Sequence, residues 1–142
     1  MKNLNNLKKL FNTYKIDGYI IPKNDEFFGE YIPESKDNLK FISNFSGSYG
    51  FALILKNKNY LFVDGRYTLQ AKIQSGRLFK IVTIPDKLPY EVLKNENISI
   101  GFDPKLHTES TLTNVFKKTN FKLKKINKNL VNKIWRRKIN NK

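Results

Sequence analysis

The sequence of 142 residues contains no cysteine. A disulfide framework and a thiolate metal site are therefore both excluded, redox usage indicates no compartment, and stability has to come from packing. Histidine is nearly absent too. His107 stands alone beside a Pro104-Lys-Leu106 turn that looks exposed, and no group of His, Asp and Glu at helical or hairpin spacing is available to surround a metal. A loop or capping role is expected for it. Ser46-Gly47-Ser48 matches a nucleophile elbow only superficially, because no Gly-x-Ser-x-Gly occurs, and Gly29, Gly47 and Gly50 are not followed by the Gly-Lys-Ser or Gly-Lys-Thr of a phosphate loop. Nowhere do about 18 uncharged apolar residues run together, and the N-terminal MKNLNNLKKLFNTYKID has no continuous apolar stretch. A soluble cytoplasmic protein with no membrane contact is the expectation.

Acidic residues are few and unevenly placed. All 12 lie at or before Glu109, against sixteen basic residues there, while the segment from residue 110 onward carries eleven basic residues and no acid. Only Arg66, Arg77, Arg136 and Arg137 are arginines, so the formal charge of +15 is mostly lysine. Such a tail fits a solvated lysine face, and it also fits contact with nucleic acid, an anionic surface or an acidic protein. Phe121 and Trp135 lie among its lysines as possible stacking rings, although Phe121, Leu123 and Ile126 alternate as a strand would. A stand-alone basic binding module for nucleic acid or an acidic protein is the alternative function on this evidence, with nucleic acid the less favoured partner.

What is present is enough for one folded unit. Hydrophobic residues make up 39% and aromatics 13% of the chain, a composition that folds rather than one that stays disordered. Leu4, Leu7, Leu10, Phe11 and Tyr14 recur at helical spacing and predict a helix ending near Asp17-Gly18. Tyr19-Ile20-Ile21 predicts a strand stopped by Pro22, and Lys23 to Lys40 a long loop with at most a short helix. Phe51 to Leu55 and Tyr60 to Val63, separated by Lys56-Asn-Lys-Asn59, predict a hairpin. Tyr67, Leu69, Ala71 and Ile73 fit either helix or strand, with Ala, Gln and the Ser75-Gly76 stop favouring helix. Strands are expected over residues 78–84, 98–102 and 121–126, and helices over 88–93 and, capped by Thr108 or Ser110, through Leu112, Val115 and Phe116. The predicted class is α/β, with a mixed central sheet of about five or six strands flanked by helices. No internal repeat is visible.

The stretch VDGRY, residues 63–67, holds the candidate functional side chain. Asp64 ends a predicted strand and begins a predicted helix, so its carboxylate can cap that helix, and Gly65 suits a tight change of direction. Arg66 has no such local reason, since the first turn of a helix disfavours a cation. It is either a ligand-facing residue at the carboxyl end of a strand or half of a structural ion pair with Asp64 or Asp103. Gly47 and Gly50 belong to a tight loop feeding the first hairpin strand.

Six segments in order, Gly18-Tyr-Ile-Ile-Pro22, Gly29-Glu-Tyr-Ile32, Phe41-Ile-Ser-Asn-Phe-Ser-Gly-Ser-Tyr-Gly50, Val63-Asp-Gly-Arg-Tyr67, Gly101-Phe-Asp-Pro104 and Asn129-Leu-Val-Asn-Lys-Ile-Trp135, resemble the creatinase/prolidase N-terminal domain of long-form Xaa-Pro aminopeptidases. Tyr49, where the family usually has a small residue, and Asn132, where it usually has an aspartate, depart from the pattern. The resemblance implies an α/β domain over residues 1–128, with 129–142 a basic linker or the start of a connection to a following domain. It implies no catalytic residue and no metal ligand in this chain, which alone is expected to be inactive. The two divalent metals of the family, manganese as a rule, belong to a later pita-bread domain, and peptides with proline second are the substrate. It further implies that Arg66 faces the substrate cleft. Asp64, Gly65, Tyr67, Gly47, Gly50, Glu30 and Tyr31 would be the structural motif around it, residues 25–31 would line the cleft edge, and the domain would support oligomer contacts, a homodimer among them.

Overall fold

Apolar and aromatic residues run almost unbroken through FALIL and NYLFVD, and a strand with that pattern needs cover on both faces. In the computed structural model, which describes residues 2–23, 37–47, 49–84, 98–107, 112, 116 and 121–135, these runs are β2 (Phe51–Leu55) and β3 (Asn59–Asp64). They form the expected antiparallel hairpin, with Leu53 opposite Tyr60, and β2 is buried at every position. β1 (Gly18–Pro22), equally buried, pairs antiparallel with β2 on its other side. β4 (Lys80–Ile84) adds parallel to β3, β5 (Ser99–Phe102) parallel to β1, and β6 (Lys122–Lys125) parallel to β5. The result is a six-stranded mixed sheet in the order β4-β3-β2-β1-β5-β6.

Side chains alternate across this sheet and divide the interior into two layers. Tyr19, Ile21, Ala52, Ile54, Leu61 and Val63 face a core completed by Leu4, Leu7 and Phe11 of α1 (Lys2–Tyr14) and Leu39 and Ile42 of α2 (Asn38–Ser43). Ile20, Phe51, Leu53, Tyr60, Phe62 and Ile100 form the second layer with Leu112 and Phe116. α1 stops at Tyr14 because Lys15 turns left-handed, φ 56°; the Ile16 N–H then bonds the Phe11 carbonyl at 3.0 Å and the Lys15 N–H that of Asn12 at 3.2 Å. This closes the helix by a Schellman motif without glycine.

One expectation changes here. Residues 38–43, assigned to loop or left unassigned, form α2, whose N-cap Asp37 accepts from the Lys40 N–H at 3.1 Å. The same carboxylate accepts from Lys23 Nζ at 2.6 Å, both side chains being only 10% exposed, so the cap is tied to the end of β1. Leu130 and Val131 of α4 (Leu130–Ile134) are fully buried in the first layer. Leu123 is 39% exposed on the edge strand β6. The helix expected over 88–93 and most of that over 108–116 lie outside the described residues.

Candidate functional site

The carboxyl end of β3 leads directly into a 3-10 turn, Gly65–Tyr67, and then into α3 (Thr68–Ser75). Asp64 caps the turn: its Oδ1 accepts from the Arg66 N–H at 2.9 Å. The Arg66 side chain folds back on the same carboxylate, donating from Nε to Oδ1 at 3.4 Å and from an Nη to Oδ2 at 2.9 Å. These hydrogen bonds hold the Asp64 carboxyl below its ordinary range and raise the guanidinium above its own. Arg66 nevertheless remains 76% exposed. Of the two partners expected for an ion pair, Asp64 is the one engaged; Asp103 instead accepts from Asn129 Nδ2 at 2.8 Å.

The serine-glycine loop reaches the same place. Phe45, fully buried, meets the Tyr67 ring edge-on at 6.0 Å between centroids, and Arg66 lies 5.2 Å from that ring on its other contact. Gly47 sits against the Phe45 ring where a Cβ has no room, and a Cβ on Gly50, φ 157°, would meet the Phe62 carbonyl at 3.0 Å. Gly47 and Gly50 therefore let Phe45 and the loop pack beneath Tyr67. Gly65 differs: no atom lies within 4 Å of where its Cβ would stand, and its φ is not in the left-handed region, so the turn does not need a glycine for its own geometry. Glu30, Tyr31 and the rest of the segment 25–31 lie outside the described residues.

Gln70 and Gln74, which no motif announced, hold the loop to α3 through Ser46. Ser46 Oγ accepts from Gln70 and Gln74 side-chain amides at 3.0 and 2.8 Å, and the Ser46 N–H donates to Gln74 Oε1 at 3.0 Å. Polar residues at i and i+4 of a helix are the only sequence trace of this clasp. Elsewhere the Gly101-Phe-Asp-Pro104 and Asn129 segments meet: Asn129 Oδ1 caps α4 through the Val131 N–H at 2.9 Å while its amide holds Asp103. The Tyr19 hydroxyl accepts from the Leu130 N–H at 3.3 Å, and burial pushes its pKa up.

His107 is buried rather than exposed. It is 8% accessible, meets Phe102 edge-on at 6.2 Å, and neither ring nitrogen has a hydrogen-bond partner among the described residues. Burial lowers its pKa to about 4, with Asp103 opposing weakly. Trp135 stacks on Phe41 at 4.5 Å and Phe121 packs on Phe116 at 5.5 Å, so both tail aromatics are engaged within the protein. Among the described residues no three His, Cys, Asp or Glu side chains come together to hold a metal ion, and a two-metal centre does not fit the residues described. Among the described residues no helix is long and apolar enough to cross a membrane.

A two-layered mixed sheet whose β3 ends in an arginine-bearing turn defines an α/β domain, and comparison assigns its family. The Creatinase/Prolidase N-terminal domain profile matches residues 3–132, and the chain belongs to that family. It is 32% identical over 143 aligned positions to the probable Xaa-Pro aminopeptidase P of Laccaria bicolor, covering 94% of this chain but 22% of that protein. It superposes with a TM-score of 0.82 and 29% identity on the X-prolyl aminopeptidase of Caenorhabditis elegans, described as a cytosolic enzyme with a di-nuclear active site, covering 94% of this chain and 25% of that one. The isolated creatinase/prolidase-like N-terminal domain of a Corynebacterium diphtheriae metallopeptidase has the same fold, with a TM-score of 0.67, 16% identity, and 89% and 97% of the two chains covered. The chain thus spans about a fifth of the curated relative's length.

Proposed function

We propose that this chain is the N-terminal, non-catalytic part of an Xaa-Pro aminopeptidase and forms one wall of the cleft that receives peptides with proline second. The observation that carries this reading is the likeness to the C. elegans enzyme over 94% of this chain, at a quarter of that enzyme's length. In this reading two divalent metals, manganese by preference, belong to a following domain and supply the attacking hydroxide there.

This chain's own contribution is positioning. Asp64 takes two donors of the Arg66 guanidinium and fixes its plane, leaving the other N–H groups of an exposed cation for a peptide carbonyl or carboxylate. Phe45 and Tyr67 stiffen the turn from beneath. The open backbone at Gly65 allows close approach by substrate or by the following domain. We also place the enzyme in the cytoplasm, in line with the cytosolic C. elegans relative, and assign the domain a share of the contacts between two copies. The test is Arg66→Ala in the polypeptide that joins this domain to its catalytic domain: kcat/KM for an Arg-Pro peptide should fall about tenfold or more, and unchanged hydrolysis would remove Arg66 from the cleft.

A further inference from the structure

At the far end of α3 from the Asp64 cap, two depressions share a ridge made by Arg77 and Leu78. The first, about 580 Å³, lies between α2 and the end of α3 and is walled in part by Phe41, Ile73 and Leu78. The second, about 510 Å³, lies between the hairpin turn and the start of β4, with Lys58 and Lys80 on its walls.

Among the described residues both the apolar and the charged groups here lack counterparts. Ile73 is 75% exposed, and Leu69, one helical turn earlier, is 72% exposed, whereas the inward side of α3 is only Ala71 and Ser75. Two large exposed aliphatic side chains at i and i+4, with Ile73 on the wall of a depression, are what a solvated helix face omits. Lys23, Lys56 and Arg66 each have a carboxylate partner, but Lys58, Arg77 and Lys80 have none among the described residues, and no carboxylate lines either depression.

We propose that this surface seats an acidic protein segment bearing aliphatic side chains. The aliphatic groups enter the groove of Phe41, Ile73 and Leu78, while carboxylates pair with Arg77 on the ridge and with Lys58 and Lys80 beyond it. The planar guanidinium of Arg77 suits a bidentate carboxylate contact. A nucleic acid would satisfy the cations but not the aliphatic groove, and the Phe41 ring is already stacked on Trp135 rather than offered to a base. The surface does not include the Asp64–Arg66 turn, so it holds whether or not Arg66 faces substrate.

Trp135 is the chain's single tryptophan, and its partner Phe41 lines the groove, so occupancy can be read in its emission. The full chain is titrated with a short amphipathic peptide of leucine and glutamate, leucines at helical spacing, beside a leucine–glutamine peptide, a leucine–lysine peptide and oligo-dT. The leucine–glutamate peptide should saturate the signal and bind about tenfold or more tighter than the other peptides and the DNA. Arg77→Glu with Lys80→Glu, and separately Ile73→Ser, should each weaken it about tenfold, with melting temperature checked against the parent. Because the peptide comparison uses the unaltered chain, it decides the matter even where a variant folds poorly. No saturable signal, binding unmoved by the charge reversal in a folded variant, or tighter binding of oligo-dT would each overturn the proposal.

Discussion

Arg66 donates to both carboxylate oxygens of Asp64, the residue that also caps its turn, yet the arginine stays largely in solvent. An ion pair this exposed gains little, because water and salt screen the charges and two side chains are ordered to form it. Arg66→Ala should therefore leave the melting temperature within about 2 °C of the parent. Thermal denaturation followed by circular dichroism checks this, and a large drop would make the pair structural.

Gly65→Ala separates folding from function at the same turn. The added methyl meets nothing and needs no left-handed backbone, so stability should hold or rise by about 0.5 kcal/mol through a stiffer unfolded chain. In the complete peptidase the same change should raise KM if another segment approaches this backbone. Denaturant midpoints and steady-state kinetics on one preparation give both answers.

Lys23 and Asp37 form the opposite kind of pair, short and nearly buried. Asp37→Asn keeps an oxygen to cap α2 but strands the ammonium, and should cost about 3 kcal/mol or more. Adding Lys23→Met should recover most of that loss, because an uncharged pair leaves no buried charge uncompensated. Urea unfolding of the two single variants and the double variant measures the difference.

Stability should also fall with acid through His107. Its folded pKa of about 4 lies below the ordinary 6.5, so the unfolded chain binds the proton first. The stabilisation from keeping the ring neutral is complete above pH 6.5 and is lost progressively toward pH 4, by about 3 kcal/mol in all. His107→Leu should flatten the stability profile across that window, and an unchanged slope would show that other groups carry it.

Lys15 occupies a left-handed position that most residues avoid. Lys15→Gly should raise stability by about 1 kcal/mol, read as a higher melting temperature, without disturbing the α1 closure.

Much of the sheet was legible because its central strands are buried on both faces and so read as unbroken apolar runs between turn residues. The Asp64 cap was legible because capping is local chemistry. α2 was not, since six residues carry too little period to stand out from a loop, and its anchor, Lys23, is distant in sequence. The burial of His107 depends on neighbours supplied by the fold, including Phe102. In α3 the apolar pattern ran through Tyr67, Leu69, Ala71 and Ile73, whereas only Ala71 of these, with Ser75, is buried and Leu69 and Ile73 face outward. The clasp of Ser46 with Gln70 and Gln74 had no signal beyond helical spacing.

The central claim is that this domain shapes a cleft but performs no hydrolysis by itself. The direct measurement is release of the N-terminal residue from an Arg-Pro peptide by the purified 142-residue chain in the presence of manganese. Turnover indistinguishable from buffer is the predicted result; saturable, manganese-dependent release that tracks the purified chain would contradict it.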